Sequence, residues 1–405
     1  MKVAAIIAEY NPFHNGHKYQ IDRVRELLGE DTAIISIMSG NYTQRGEIAI
    51  ADKAIRSRAA VDSGVNLVLE LPFPHSMASA EFFATAGVYI ANSLGVVDYL
   101  VFGSECESAE LLSRTAKRLA STEFRDELNR IALEQNYKND GYPILCEICY
   151  KRLFGEDIGD DFFTPNNILA LEYLKALSKL NSAIIPLPIT REGAGYSDEN
   201  IVFGSLQSAS AIRSLIVKSE SSAYDYMPIN AKSVFLEAAR RGDMPTDIAR
   251  LDNAVISYFR LNSHRGADDF QDARGGLYNR LCDISKEVNS ISSLTAAAET
   301  KKYTKARIRR ATLFSYLGVT SSDVRAFPSY TQVLAMDEVG KSLLKEIKRT
   351  STFTVLTKPS SYRSSAPEII QAKELSDRAD SVFALTHDGE NSARASLTFT
   401  PYVKK

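Results

Sequence analysis

Val3-Ala4-Ala5-Ile6-Ile7-Ala8, followed by Glu9-Tyr10-Asn11-Pro12-Phe13-His14-Asn15-Gly16-His17, is an apolar run that turns at a polar loop and enters an amphipathic stretch over 18–28. Six apolar residues without alternation describe a strand buried on both faces, the kind a parallel sheet requires. A loop carrying Pro and Gly that feeds directly into a helix makes this the first half of a βαβ unit. Outward from it, apolar runs at 33–38, 67–69 and 99–102 are separated by helix-period segments at 52–62 and 80–94. Strand and helix in alternation predict a Rossmann-like α/β fold, a parallel sheet with right-handed crossovers and helices on both faces. Ligands in such sheets sit beyond the carboxyl ends of the strands. The loops after Ala8, Met38, Leu71 and Phe102 are therefore where chemistry is expected.

A surface-like helical pattern near 107–160 reads as an insertion, after which a helix at 166–180 and a strand at 183–187 carry the sheet to about residue 188. Beyond 220 the strand signals fade, and helices are predicted at 251–261, 277–291, 301–317 and 341–349. Two domains are expected, one over 1–220 and a mostly helical one over 221–405.

At 405 residues, 44% hydrophobic and 24% charged, the chain has room for one large or two ordinary cores. A net charge of -2 excludes a wholesale polycation, so a nucleic-acid surface has to be a local patch. Four cysteines exclude a disulfide scaffold, no secretory leader is recognised, and a reducing cytoplasm is the expected location. No apolar run approaches the roughly 20 residues that a membrane span needs, so no membrane role is expected. Cys146-x-x-Cys149 has no second Cys or His pair nearby and reads as ordinary thiols; no metal ligands are assigned.

Of five histidines, two stand three residues apart on the first turn of the first helix. Gly16 leaves the backbone bare there, so a phosphate can approach free N–H groups where the helix dipole favours negative charge. Imidazoles at that place can donate hydrogen bonds to a departing pyrophosphate. The spacing alone is equally that of helix caps or surface residues. Its position in the loop where the fold places the ligand favours the phosphate reading.

His14-Asn15-Gly16-His17 resembles the His-x-Gly-His signature of the HIGH superfamily of nucleotidyltransferases. Ser208-Ala209-Ser210-Ala211-Ile212-Arg213 resembles the hydroxyl-rich phosphate motif, ending in Arg, that opens a late helix in that superfamily. Further blocks narrow the match: 8–17, Met38-Ser39-Gly40-Asn41-Tyr42-Thr43-Gln44-Arg45-Gly46-Glu47, Glu70-Leu71-Pro72-Phe73, Phe102-Gly103-Ser104-Glu105 and Pro165-Asn166-Asn167-Ile168-Leu169. Together these are similar to the tRNA(Met) cytidine acetate ligase family, over residues up to about 220 and again over 301–310.

The resemblance implies a Rossmann-like nucleotidyltransferase domain that activates acetate with ATP, releases pyrophosphate, and passes acetyl to the wobble cytidine of elongator tRNA(Met), giving N(4)-acetylcytidine. It implies an ATP site of Ile7, Ala8, Glu9, Tyr10, Asn11, Pro12, Phe13, His14, Asn15, Gly16, His17, Lys18, Tyr19 and Gln20, joined by Gly103, Asn166, Asn167, Arg191, Glu192, Ser210 and Arg213. His14 and His17 are expected on the phosphates, with Mg²⁺ accompanying ATP. Acetate is already ionised near neutral pH, so positioning and charge neutralisation matter more than a dedicated base.

Asp52, Lys53, Arg56 and Arg58 form a charged run after the Gly46 loop; Lys53 is taken as a catalytic candidate, against the alternative of a solvated helix face. Lys301, Lys302, Lys305, Arg307, Arg309 and Arg310 lie in a segment without acidic residues. At about 100° per residue, Lys301, Lys302, Lys305 and Arg309 form a basic stripe on one helix face, suited to an RNA backbone. Two other functions fit part of the pattern. An adenylyltransferase that makes a dinucleotide from a phosphorylated cofactor precursor would use the same loop, but has little use for a basic helical domain. A non-catalytic RNA-binding protein would not need His14, Gly16 and His17.

Overall fold

The computed structural model describes all residues except 107, 135–136, 138–140, 156–157, 159–161, 191–206, 265–268 and 390–391. The run at the start of the chain is β1 (Val3–Ala8), which leads through α1 (Asn15–Leu28) to β2 (Ala33–Ser39). A short hairpin, β3 (Tyr42–Thr43) and β4 (Glu47–Ile48), precedes α2 (Lys53–Asp62), β5 (Leu67–Leu71), α3 (Ala80–Ser93) and β6 (Tyr99–Ser104). Helices α4 (Ala109–Leu119), α5 (Thr122–Leu133) and α6 (Tyr142–Phe154) fill the expected insertion, and α7 (Pro165–Lys179) returns the chain to β7 (Ile185–Thr190). The five strands β5-β2-β1-β6-β7 are adjacent and all parallel. Successive crossovers step one way from β1 and then the other, so a crevice opens at the carboxyl ends of β1 and β6.

Period-two alternation divides β1 between two layers. Ala4 and Ile6 enter the core that includes Ile21 and Val24 of α1 and Ala59 and Ala60 of α2, whereas Ala5 and Ile7 enter the core with Phe83 of α3 and Leu171 of α7. The insertion adds Leu112, Phe124, Cys146 and Cys149 to that second core. Both cysteines are free and buried; burial raises the Cys146 thiol to about 12 and the Cys149 thiol to about 11, as suits inert packing thiols.

After β7 come α8 (Ala209–Val217), α9 (Ile229–Arg241), α10 (Asp252–Leu261), α11 (Leu277–Ser285), α12 (Ile291–Ala298), α13 (Lys305–Leu317) and α14 (Ser321–Arg325). Val255, Phe259, Leu281, Leu294 and Ile308 give α10 to α13 a core of their own. Two helix boundaries differ from the sequence pattern, each because a side chain caps the new end. The helix expected over 277–291 stops at Ser285 and a new one begins at Ile291, with Ser290 Oγ accepting the Ser293 N–H at 3.1 Å. The 301–317 helix starts at Lys305, with Thr304 Oγ1 accepting from Arg307 N.

Strands also return where the pattern shows only helices. β8 (Tyr330–Met336) pairs antiparallel with β5, followed by α15 (Glu338–Thr350), β9 (Thr354–Leu356), α16 (Pro367–Phe383), α17 (Ala395–Thr398) and β10 (Tyr402–Val403). β9 and β10 share the outer edge of β8, at 330–332 and 335–336, completing an eight-stranded sheet. Leu334 and Ala335 join the same core as Ile6 and Val61. Residue 220 is thus a boundary neither of the sheet nor of its core.

Candidate active site

The loop after β1 is shaped by its own histidines. His14 is the N-cap of α1: its Nδ1 accepts the Gly16 N–H at 3.0 Å, while its own N–H donates to Nδ1 of His17 at 3.2 Å, a reciprocal capping box. A neutral imidazole that accepts through Nδ1 carries its proton on Nε2. Both rings, 3.9 Å apart between centroids, are on this assignment Nε2–H donors at a helix N-terminus. Capping and phosphate binding are therefore compatible here, because capping fixes which ring nitrogen remains to donate. Gly16 has a second purpose beyond baring the backbone: a Cβ there would lie 2.9 Å from Cε1 of His14. Tyr10 adopts φ +45°, a region that favours glycine, and its buried ring packs 4.9 Å from those of Phe13 and His17.

The cleft above this loop is walled by several separate pieces of chain. Ile7, Ala8, Glu9, Tyr10, Asn11, His14, Gly16, His17, Tyr19 and Gln20 come from β1 and α1, and Thr43, Gln44, Arg45 and Glu47 from the hairpin. Phe102 and Gly103 of β6, Asn166, Leu169 and Tyr173 of α7, and Phe83 of α3 close one side; Gln207, Ala209, Ser210 and Arg213 at the start of α8 close the other. Ser208 caps α8 by accepting from Ala211 N at 3.1 Å, turning that helix N-terminus towards the cleft. Arg213 donates through Nη1 to Asn11 O at 2.9 Å, while its Nη2 lies 3.3 Å from Ser210 Oγ and 3.4 Å from Glu47 Oε2. Two helix N-termini, two imidazoles, a hydroxyl and a guanidinium converge, which is a donor set for a polyphosphate. Glu9 accepts the Gln44 N–H at 2.9 Å; burial pushes its carboxyl above the ordinary range, against the pull of that hydrogen bond and of Arg213.

Several expected residues serve this cleft without lining it. Phe13 is core, Lys18 pairs with Asp22, and Pro12 and Asn15 complete the loop. Asn167 Oδ1 accepts from Ser104 Oγ, Glu105 N and Cys106 N, at 2.9, 3.0 and 3.2 Å, so it holds the turn after β6 rather than a ligand. Arg191 and Glu192 lie outside the described residues. No local sequence signal gives Thr43, Gln44, Arg45 and Glu47 a role; tertiary packing brings them to the cleft. Among the described residues no group of three or more His, Cys, Asp or Glu is arranged to hold a metal.

Lys53 is not in the cleft. It is 3% exposed, with Nζ 2.7 Å from Glu70 Oε1 and 2.7 Å from Asp380 Oδ2. Burial alone would pull its ammonium down, but the two carboxylates prevail and hold it well above its ordinary value. Arg56, fully buried beside it, donates to the carbonyls of Ala51, Glu9 and Ser39 at 2.9, 2.6 and 3.2 Å, and also to that of Gly40. The catalytic assignment of Lys53 is thereby corrected: the ammonium is consumed in tying α2 to β5 and α16. Nearby, the buried ring of His75 donates through Nε2 to Ala326 O at 2.8 Å, and burial lowers its pKa to about 4.

The basic stripe is also redrawn. Lys301 and Lys302 precede α13, so the helical geometry does not extend to them. Nor is the charge uncompensated. Arg309 pairs with Glu47, Arg310 Nε lies 2.5 Å from Asp272 Oδ2, and Lys305 Nζ lies 3.5 Å from Glu299. Arg307 donates to Asp272 O at 3.1 Å and Arg274 O at 2.8 Å, and Lys302 to Gly275 O at 3.2 Å. Lys301, Lys302 and Lys305 are exposed, whereas Arg307, Arg309 and Arg310 are half-buried.

The HIGH Nucleotidyl Transferase family model matches residues 1–396, a range that holds both the histidine loop and the returning strands β8 and β9. A tRNA(Met) cytidine acetate ligase of Acetivibrio thermocellus is 34% identical across 100% of this chain and 99% of its own length. Its namesake from Caldicellulosiruptor saccharolyticus is 36% identical across 96% of this chain and 94% of its own. The chain belongs to the tRNA(Met) cytidine acetate ligase family. In structure it is similar to Thermotoga maritima TmcAL bound with alpha-thio ATP, with a TM-score of 0.89 and 27% identity over 100% of this chain and 99% of that one. Membership of the tRNA(Met) cytidine acetate ligase family agrees with a cleft rich in anion-compatible donors, and no described helix is long and apolar enough to cross a membrane.

Proposed function

We propose that this protein is an ATP-dependent ligase that converts acetate to acetyl-adenylate and transfers the acetyl group to the wobble cytidine of elongator tRNA(Met), forming N(4)-acetylcytidine. The observation that carries the reading is the reciprocal capping of His14 and His17 in a whole-chain relative of enzymes bearing that name. An acetate oxygen attacks the α-phosphorus and pyrophosphate leaves. The Nε2–H groups of His14 and His17, the α1 and α8 N-termini and Arg213 take up the charge that develops on the departing group. The cytidine amine then attacks the acetyl carbonyl, the C–O bond to AMP breaks with its electron pair on AMP, and the amine's proton passes to solvent. Mg²⁺ is assigned to the nucleotide rather than to a protein cage. Glu9 and Glu47, the carboxylates among the described residues of the cleft, are already engaged by Gln44 N and by Arg213 and Arg309, and Mg²⁺ readily keeps its waters and binds through substrate phosphates.

Lys301, Lys302 and Lys305 are assigned to the tRNA backbone, with Arg309 one helical turn on from Lys305, so residues 221–405 supply the RNA contacts. The cell compartment is the cytoplasm. The deciding experiment is exchange of labelled pyrophosphate into ATP, with and without acetate and without RNA, followed by nucleoside analysis of treated tRNA. Acetate-dependent exchange is expected. Exchange indifferent to acetate, or none even with tRNA added, overturns the ligase reading in favour of adenylyl transfer to a cofactor precursor.

A further inference from the structure

Glu47 is shared by two arginines that are far apart in sequence. Its Oε2 lies 3.4 Å from Nη2 of Arg213 on α8, and its Oε1 accepts from Nη1 of Arg309 on α13. Arg213 faces the cleft and reaches the histidine loop through Asn11 O. Arg309 is one helical turn from the exposed Lys305. The backbone that carries Glu47 is clamped. Gly46 has φ +72°, and a Cβ on it would lie 2.5 Å from the backbone N of Arg310, so the hairpin is pressed against α13 with no side chain between. Arg310 adds a hydrogen bond to Gln44 O at 3.3 Å. With the hairpin fixed, the freedom left in the cluster is which arginine the carboxylate holds more closely.

We propose that Glu47 couples the nucleotide cleft to the α13 face, by dividing one carboxylate between Arg213 and Arg309. The proposal rests on the reading of the cleft as an ATP site and of α13 as part of the RNA face. Its sign follows from competition. An RNA phosphate that draws Arg309 away leaves Glu47 to hold Arg213, which then holds the triphosphate or pyrophosphate less well. Arrival of RNA therefore hastens loss of pyrophosphate before acetyl transfer, and by linkage a bound triphosphate weakens RNA to the same degree. The three side chains are 21–36% exposed, so each effect is a factor of a few rather than of hundreds.

The test is equilibrium binding of α,β-methylene ATP to the full chain without RNA, where Arg309→Met stands in for RNA. This variant is expected to bind the analogue about two- to fivefold more weakly, and Arg309→Lys to restore it. Glu47→Gln is expected to bind it more tightly by a similar factor, and Arg309→Met added to Glu47→Gln to change nothing further. An equal weakening by Arg309→Met in both backgrounds would be a plain loss of positive charge and overturns the proposal, as does unaltered affinity in the single variant. Adding elongator tRNA(Met) should weaken the analogue in the wild type and not in Glu47→Gln. Thermal melting of each variant shows whether it is folded. Failure of the wild type to bind the analogue defeats the ATP-site reading and this proposal with it, whereas normal binding with additive variants defeats only the role of Glu47.

Discussion

Two charge clusters lie on either side of the loop after β2, and they differ in what water can reach. On the cleft side, Glu47, Arg213 and Arg309 are half-exposed and share hydrogen bonds that a ligand can take over. Behind it, Lys53, Glu70, Asp380 and Arg56 are at most 8% exposed, and their partners are set by the fold. Both clusters join carboxylates to cations. The half-exposed pairs can be exchanged for a phosphate at small cost, while an interior pair that loses one partner leaves an uncompensated charge in a poor solvent.

The largest effect is expected of Lys53→Met, which strands Glu70 and Asp380 together. A loss of about 3–5 kcal/mol in unfolding free energy is expected from chemical denaturation. A normally stable variant lacking pyrophosphate exchange would instead restore a chemical role for Lys53. His17→Ala should do the opposite. It removes one donor aimed at the leaving group, so acetate-dependent exchange should fall about 10²–10³-fold, with the denaturation midpoint lowered far less than in Lys53→Met. Wild-type turnover in this variant would remove His17 from the site.

Acid should find the interior through His75. The unfolded chain takes up this proton below about 6.5, whereas the folded ring resists it until about 4. The stabilising contribution is thus full above pH 6.5 and is lost as the pH falls towards 4, by a total on the order of 3 kcal/mol. Denaturation series at pH 7 and pH 4.5 would measure it, with His75→Gln as the variant expected to flatten the difference.

Much of the catalytic half was legible in the sequence because its signals are local. Unalternating apolar strands, helix-period segments and the His14-to-His17 loop are each read within a short stretch of chain, and the cleft is where the strand ends place it. What escaped was set by long-range pairing. Lys53 looks like part of a solvated charged run until its partners are found 17 and 327 residues away. Arg309 looks uncompensated until Glu47 arrives from 262 residues earlier. β8 is seven residues with a strand's composition between two strong helices, and its membership of the sheet depends on β5, whose edge it covers.

That covering has a practical meaning for anyone who would take the molecule apart. A fragment ending near residue 220 would keep the histidine loop and most of the cleft, yet strip β8 from β5 and bare a row of backbone donors and acceptors in the middle of an apolar sheet. Such a piece would be sticky rather than autonomous. The part assigned to the nucleotide and the part assigned to the RNA are therefore not interchangeable cassettes, and a new acceptor preference would have to be introduced by altering surfaces in place, not by swapping one half for another.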